Sequence, residues 1–408
     1  MNNFDTLYTY ELKKLFQKKI VWISLVIMVA LTVIMSLGGI LFTAYSLDGQ
    51  QVSAYDFMAM NREMARLHSG RTLDDALLKE MQAAYEGYRT VTTNTTSDST
   101  TETSISTSST KNAEKYVAIH SLVVDILNGD TDAVLTTTAK ELYEARSALI
   151  SNQLDSQKLS DGEYAYWQAR ESEVKTPFVF DYTRGISTLL SEISVINVLL
   201  LLLTAICLSS IFSDEHLRRT DQLVLSSRLG KKQLYLAKIT AGVTFGVASA
   251  ILLYAAAAIS ALTVYGTDGL NAAIQLIMQT SSWPMTLGQT ALIYLGVLIV
   301  ASLLYSVAAM FLSELLKSSV STMAIMVGVT LLTLFLNVPD IYRLPSQIYS
   351  YFPTQLMTIE SLWDRRLVSL PGTYLANWQF GPIVYLVVAI LLTVVGHRIY
   401  RRYQVSGR

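Results

Sequence analysis

Apolar and charged residues fall in long blocks along this chain rather than in short alternations. A charge-free run of 28 residues covers 20–47, and two further long apolar runs flank a charged stretch at 211–240. About twenty consecutive apolar residues suffice to carry a helix across a bilayer. The pattern therefore predicts spans at 20–47, 193–212, 239–266, 285–312, 318–338 and, with flanking residues, 382–396. The first run is longer than the apolar part of a cleavable leader and lacks a small-residue cleavage site. Gly38 and Gly39 near its end permit close helix contact or a local break. The third run carries a small-residue face including Gly242, Gly246 and Ala255–Ala258, which lets helices approach closely in lipid.

Between the spans the period changes. Residues 4–19 place Phe4, Leu7, Tyr8, Leu12, Leu15 and Phe16 at helical spacing, with Lys13, Lys14, Lys18 and Lys19 toward the first span. An amphipathic basic helix of this kind lies in the headgroup layer. Residues 48–184 contain no spanning run and hold 21 acidic against 13 basic residues. Helices are expected there at 54–89, 113–127, 133–154 and 163–172. Within 92–110, 15 of 19 residues are Ser or Thr, too little apolar surface to offset ordering entropy, so a mobile loop is expected. Asn94-Thr95-Thr96 fits the glycosylation pattern, a short motif common by chance. The segment 339–380 is too polar to cross directly, yet Tyr342, Tyr349, Tyr351, Phe352, Trp363, Tyr374, Trp378 and Phe380 stud it. Tyr and Trp collect at membrane interfaces, so short interfacial or re-entrant helices are expected.

The predicted fold class is an all-α polytopic membrane protein. It has six transmembrane helices, an amphipathic N-terminal interfacial helix at 1–19 and an inserted α-helical extracellular domain at 48–185. Residues 186–408 carry spans two to six, with a cytoplasmic segment at 213–238 and an extracellular interfacial segment at 339–380. Composition agrees: 51% of residues are hydrophobic and 15% charged, with mean hydropathy +0.37, too apolar for an ordinary soluble domain. The net charge of -1 averages basic segments against an acidic one. Basic residues near span ends set orientation. Fifteen fall in the predicted inner segments, whereas the two shorter outer loops hold only Arg343, Arg365 and Arg366. Both termini are therefore expected in the cytoplasm of a multi-pass cell-membrane protein. The single cysteine, Cys207, sits in an apolar run and excludes an intrachain disulfide.

Motifs for chemistry are missing. Gly230-Lys231-Lys232 fails the phosphate-loop pattern, because Leu225 stands where its first Gly belongs and Lys232 where Ser or Thr belongs. The histidines at 68, 120, 216 and 397 are scattered, and the sequence holds no metal-binding or nucleophile-elbow pattern. Glu192 is placed at the outer edge of the second span, which argues against a proton-coupled carrier.

An amphipathic start, ELKKLFQKK leading into a span, six spans, and the stretch Phe212-Ser213-Asp214-Glu215 followed by Thr220, Leu223, Ser226, Ser227 and KKQLYLAKI together resemble the permease subunits of type-2 ABC exporters. The resemblance covers roughly 1–48 and 185–408. It implies that the amphipathic start is a connecting helix and that the segment after the second span is a coupling helix docking on an ATPase. Glu215 and Thr220 match the family's E-x-x-x-(G)-T pattern, with Arg219 where Gly is frequent. His216, Arg218, Arg219 and Leu223 complete the expected ATPase-coupling set. The resemblance also implies no cofactor in this chain, with ATP and Mg on the partner. Expected partners are an ABC ATPase subunit, a second permease, identical or homologous, and membrane lipid, but no nucleic acid. The cargo expected is amphipathic or hydrophobic: an antimicrobial peptide, a drug or a lipid-like molecule. The alternative is a ligand-sensing or immunity protein whose outer domain captures a ligand and signals inward without transport. A mechanotransmission permease is a third reading, in a class that usually has four spans.

Overall fold

Helices form where the apolar blocks run, and they end where glycine, proline or charge returns. The computed structural model describes residues 3–47, 50–94, 112–157, 159–217 and 232–402. The chain separates into two compact units: Met1–Ser36, Ser191–Ile259 and Ile293–Arg408 form one, Leu37–Leu190 and Ser260–Leu292 the other.

In the first unit, α1 (Asn3–Phe16) precedes α2 (Lys19–Ser36). Five described helices are long and apolar enough to cross a membrane, which makes this a multi-pass membrane protein. They are α2; α9 (Arg184–Leu208) with its continuation α10 (Ser210–Leu217); α11 (Gln233–Tyr265); α12 (Leu287–Leu316); and α16 (Asn377–Arg402). The segment expected as a span at 318–338 is α13 (Ser319–Phe335), a helix of 17 residues. At 1.5 Å per residue it reaches about 26 Å, short of a ~30 Å hydrocarbon layer.

The packing of these helices inverts that of a soluble protein. On α2 the buried positions are Val21, Ser24, Met28, Thr32 and Ser36, while Trp22, Ile23, Val26, Ile27 and Ile34 face outward. Helix α13 repeats this, burying Thr322, Met326, Thr330 and Thr333 and exposing Leu331, Leu332 and Phe335. In lipid the hydrophobic effect does not drive helices together, so small and hydrogen-bonded faces pack and large apolar ones meet acyl chains. The small face of α11 does the same against α12. A Cβ added at Gly246 would lie 2.0 Å from Ser306 Oγ and 3.2 Å from the Ser302 carbonyl.

The aromatic segment that precedes α16 folds back among the spans. It contains α14 (Arg343–Ser350), α15 (Ile359–Leu362) and a hairpin of β3 (Val368–Leu370) and β4 (Thr373–Leu375). The Pro353 carbonyl accepts from Asn197 Nδ2 of α9 at 2.7 Å and from the Tyr305 hydroxyl of α12 at 2.9 Å. Asn197 and Tyr305 both lie near the middle of their helices and are buried, so residues around 353 dip to that level. Tyr349 and Gln355 of the same segment donate to the Thr333 carbonyl at 2.6 and 2.8 Å, and Tyr349 also donates to that of Leu336. The last carbonyls of this short helix, which have no partner within it, are thus satisfied by side chains from the following segment.

The second unit has a water-soluble pattern, with Leu73, Leu77, Met81, Ile119, Val123 and Leu142 fully buried. It comprises α3 (Gly38–Leu41), the hairpin of β1 (Ala44–Leu47) and β2 (Gln50–Ser53), and α4 (Ala54–Arg66). There follow α5 (Asp75–Asn94), α6 (Val117–Ile126), α7 (Ala139–Ser156) and α8 (Asp161–Glu171). Residues 260–292 belong to it as well: Arg146 donates to the carbonyls of Gln279 and Ser281 at 2.7 and 2.9 Å, and Arg66 pairs with Asp268 at 2.7 Å.

Several boundaries differ from the sequence expectation. The charge-free run 20–47 is not one helix: α2 ends at Ser36, Leu37 forms a turn, Gly38 and Gly39 open the short α3, and the chain then enters β1. The single helix expected at 54–89 is two. Gly70, at φ +81°, takes a left-handed turn, and 70–73 runs extended against 178–180, with Leu73 N–H donating to the Phe178 carbonyl at 2.8 Å. The Asp74 carboxylate then accepts from Leu77 N–H at 3.1 Å and starts α5. The helix expected at 133–154 is likewise divided, by a capping box in which Thr138 and Glu141 satisfy each other's backbone N–H. Residues 95–110 of the Ser/Thr tract lie outside the described residues.

Candidate functional site

Where α9 gives way to α10, the helix is interrupted at Ser209, and a side chain from another helix completes the hydrogen bonding. Ser313 of α12 accepts from the N–H groups of Phe212 and Ser213 at 3.3 and 3.2 Å and donates its own hydroxyl to the Ser209 carbonyl. The junction is therefore pinned to α12 before the charged segment begins.

On α10, Glu215 turns inward. Its Oε1 lies 2.6 Å from Lys238 Nζ, on the first turns of α11, and 3.2 Å from Lys14 Nζ, on α1. Lys238 has no solvent exposure, and it also donates to the Ile211 carbonyl at 3.1 Å and approaches Glu11 Oε2 at 3.6 Å. Its ammonium stands 5.2 Å from the centre of the Phe212 ring. Beside this group, Lys18 pairs with Asp214 at 2.6 Å and donates to Ser210 Oγ at 2.6 Å. Three ammonium groups, at 14, 18 and 238, thus face three carboxylates, at 11, 214 and 215. For Lys14, burial lowers the pKa, but the Glu11 and Glu215 carboxylates outweigh it and hold the ammonium above the usual lysine range. A buried charge is tolerated when it is paired and hydrogen-bonded in this way.

The remaining face of α10 is equally engaged. His216 Nε2 lies 3.8 Å from Glu314 Oε2 of α12. Phe212, Tyr235 and Tyr400 form an aromatic cluster with centroids 5.4–5.8 Å apart, and Tyr235 donates to the Thr393 carbonyl at 3.1 Å. Four elements, α1, α11, α12 and α16, therefore grip one eight-residue helix.

Of the expected coupling residues, the structure brings Glu215 and His216 into this cluster. Arg218, Arg219, Thr220 and Leu223 lie outside the described residues. The expected coupling set lacked Glu11, Lys14, Lys18, Lys238, Ser313 and Glu314, which the fold brings to this cluster. One signal was present: Lys238 stands between Ala237 and Ile239 at the start of an apolar span, a position that requires a partner. Glu192, expected at a span edge, lies about two turns inside α9 because that helix begins at Arg184, with Ser36 of α2 nearby.

Among known families, residues 19–395 match the one described as ABC-2 family transporter protein. No curated protein matches the chain.

Proposed function

The chain belongs to the ABC-2 family of transporter proteins, in which this subunit is the membrane permease, and from that premise we propose how it couples and what it moves. The inner segment 213–238 docks on a separate ABC ATPase, which binds ATP and Mg. A second permease, identical or homologous, completes the pathway, and the cargo is an amphipathic or hydrophobic molecule moved outward. Both termini lie in the cytoplasm and 48–185 outside, with α13 crossing as the sixth span.

The observation that carries this reading is the neutral ion-pair cluster at the root of the inner segment. A surface that only solvated a loop would leave Glu215 in water, yet it is 9% exposed and joins α10 to α1 and α11. Force delivered beyond Leu217 therefore reaches three helices together, and a change in ATPase shape shifts the balance between two arrangements of the spans. Glu215 acts in this scheme as a positioning residue rather than an ATPase contact. The residues that touch the ATPase are then Arg218, Arg219, Thr220 and Leu223.

The test is a reconstituted permease–ATPase complex in vesicles. Glu215→Lys should insert and assemble but lose cargo-stimulated ATP hydrolysis, whereas substitutions at Thr220 and Leu223 should weaken ATPase binding itself. Normal stimulation in Glu215→Lys would remove the proposed role. The sensing alternative makes a separate prediction, since a relay that does not transport moves no cargo across the vesicle wall.

A further inference from the structure

Within the second unit a cavity of about 280 Å3 opens between α3, α4, α6 and the ends of α9 and α11. That volume falls just under the ~300–1,000 Å3 typical of small-molecule sites. Its body is apolar, formed by Phe57, Met58, Val117 and Tyr265. Its charge is uneven. Lys115 and Arg184 line it, and among the described residues neither has a carboxylate within ion-pair distance. Arg184 instead sits 6.0 Å from the centre of the Tyr265 ring, and Lys115 donates only to Asn112 Oδ1, at 3.3 Å. One carboxylate, Glu114, also lines the cavity and has an interaction of its own.

Two unpaired cations beside an apolar chamber are unexpected in a segment that carries 21 acidic against 13 basic residues over 48–184. Elsewhere in the same unit four guanidinium groups are matched, Arg66 by Asp268, Arg71 by Glu80, Arg146 by Glu171 and Arg170 by Glu173, and Arg62 donates instead to the Val264 carbonyl. In chain order the cavity lining also gathers the residues just after α2, at the start of α9 and at the end of α11, where three apolar helices begin or end. Leu41 and Phe42 follow directly along the chain and are exposed, the kind of apolar surface that meets a lipid interface.

We propose that this cavity is a binding site for a small anionic amphiphile, its aliphatic or aromatic body held by Phe57, Met58 and Tyr265 and its carboxylate or phosphate by Arg184 and Lys115. The site goes beyond the ATPase-coupling reading and stands without it. Guanidinium favours oxyanions through its planar fork of donors, and an ammonium alongside adds a second contact.

The experiment uses the full chain in nanodiscs of neutral phosphatidylcholine and a photoreactive diazirine derivative of decanoate, with labelled peptides located by mass spectrometry. Labelling should concentrate on 54–66 and 113–118. Excess decanoate or decyl phosphate should suppress it at least fivefold, and decyltrimethylammonium should not. Arg184→Gln with Lys115→Gln should reduce labelling at least tenfold, and Ala118→Trp, which fills the cavity and keeps both charges, should do the same. Labelling spread over the apolar spans, or competed equally by the cationic amphiphile, overturns the proposal, and because both readings come from the unaltered chain they hold even if a variant fails to fold. Loss of coupling in Glu215→Lys with retained labelling would separate this site from the coupling mechanism.

Discussion

Lys238 concentrates more obligations than any neighbour in its cluster, since one ammonium serves Glu215, Glu11 and the Ile211 carbonyl with no access to water. Removing one member of a buried ion pair costs about 3–5 kcal/mol, because the abandoned partner stays buried. Lys238→Met should therefore lower the melting temperature clearly, as thermal unfolding in detergent would read. Adding Glu215→Gln to it should cost less than the sum of the two single changes, the mark of a direct interaction. In the second unit His68 is 6% exposed and stacks on Tyr116 at 4.4 Å. Burial first, then Arg71 and Lys115, push its pKa below the usual histidine value, with Glu80 opposing. Its folded form thus binds fewer protons than the unfolded one, so stability is intact above pH ~6.5 and falls as pH drops through the lowered value. A melting temperature followed from pH 7.5 to 5 should decline, and His68→Asn should flatten part of that slope.

At the level of elements, α13 depends on residues that come after it in the chain. Its terminal carbonyls are bonded by Tyr349 and Gln355, and each unsatisfied buried group costs about 1–3 kcal/mol. Tyr349→Phe combined with Gln355→Ala should fray the end of α13, seen as faster amide exchange at 330–336 while α2 and α11 keep their protection. The sequence made the existence of this helix plain, since a charge-free block is a local property. Its end was not legible, because charge-free sequence continues to Pro339 and the side chains that cap it come from 13 or more positions onward. The same distinction explains 54–89, where helical spacing persists through the break but the reason for the break, pairing of 70–73 with 178–180, is more than a hundred residues away. Gly70 and Asp74 carried the local half of that signal.

For the molecule as a whole, block patterning alone conveyed the membrane character, because it follows from long apolar runs, whereas the family came from the resemblance carried by the basic amphipathic start and the stretch after the second span. The candidate site was half legible. Glu215 stood out by its motif, but its partners at 11, 14 and 238 converge only through folding, and the inward turn of its carboxylate reverses the simplest reading of a charged loop. The balance of that cluster has an electrical consequence. Carrying one elementary charge across a full bilayer field takes about 2.3 kcal/mol per 100 mV, whereas a group holding three ammoniums and three carboxylates carries no net charge. Displacing it as one body should be electrically silent, so cargo flux through vesicles should not change when a potassium gradient clamps them at different voltages. Glu215→Gln leaves one positive charge in excess, and any flux that variant retains should then depend on membrane potential.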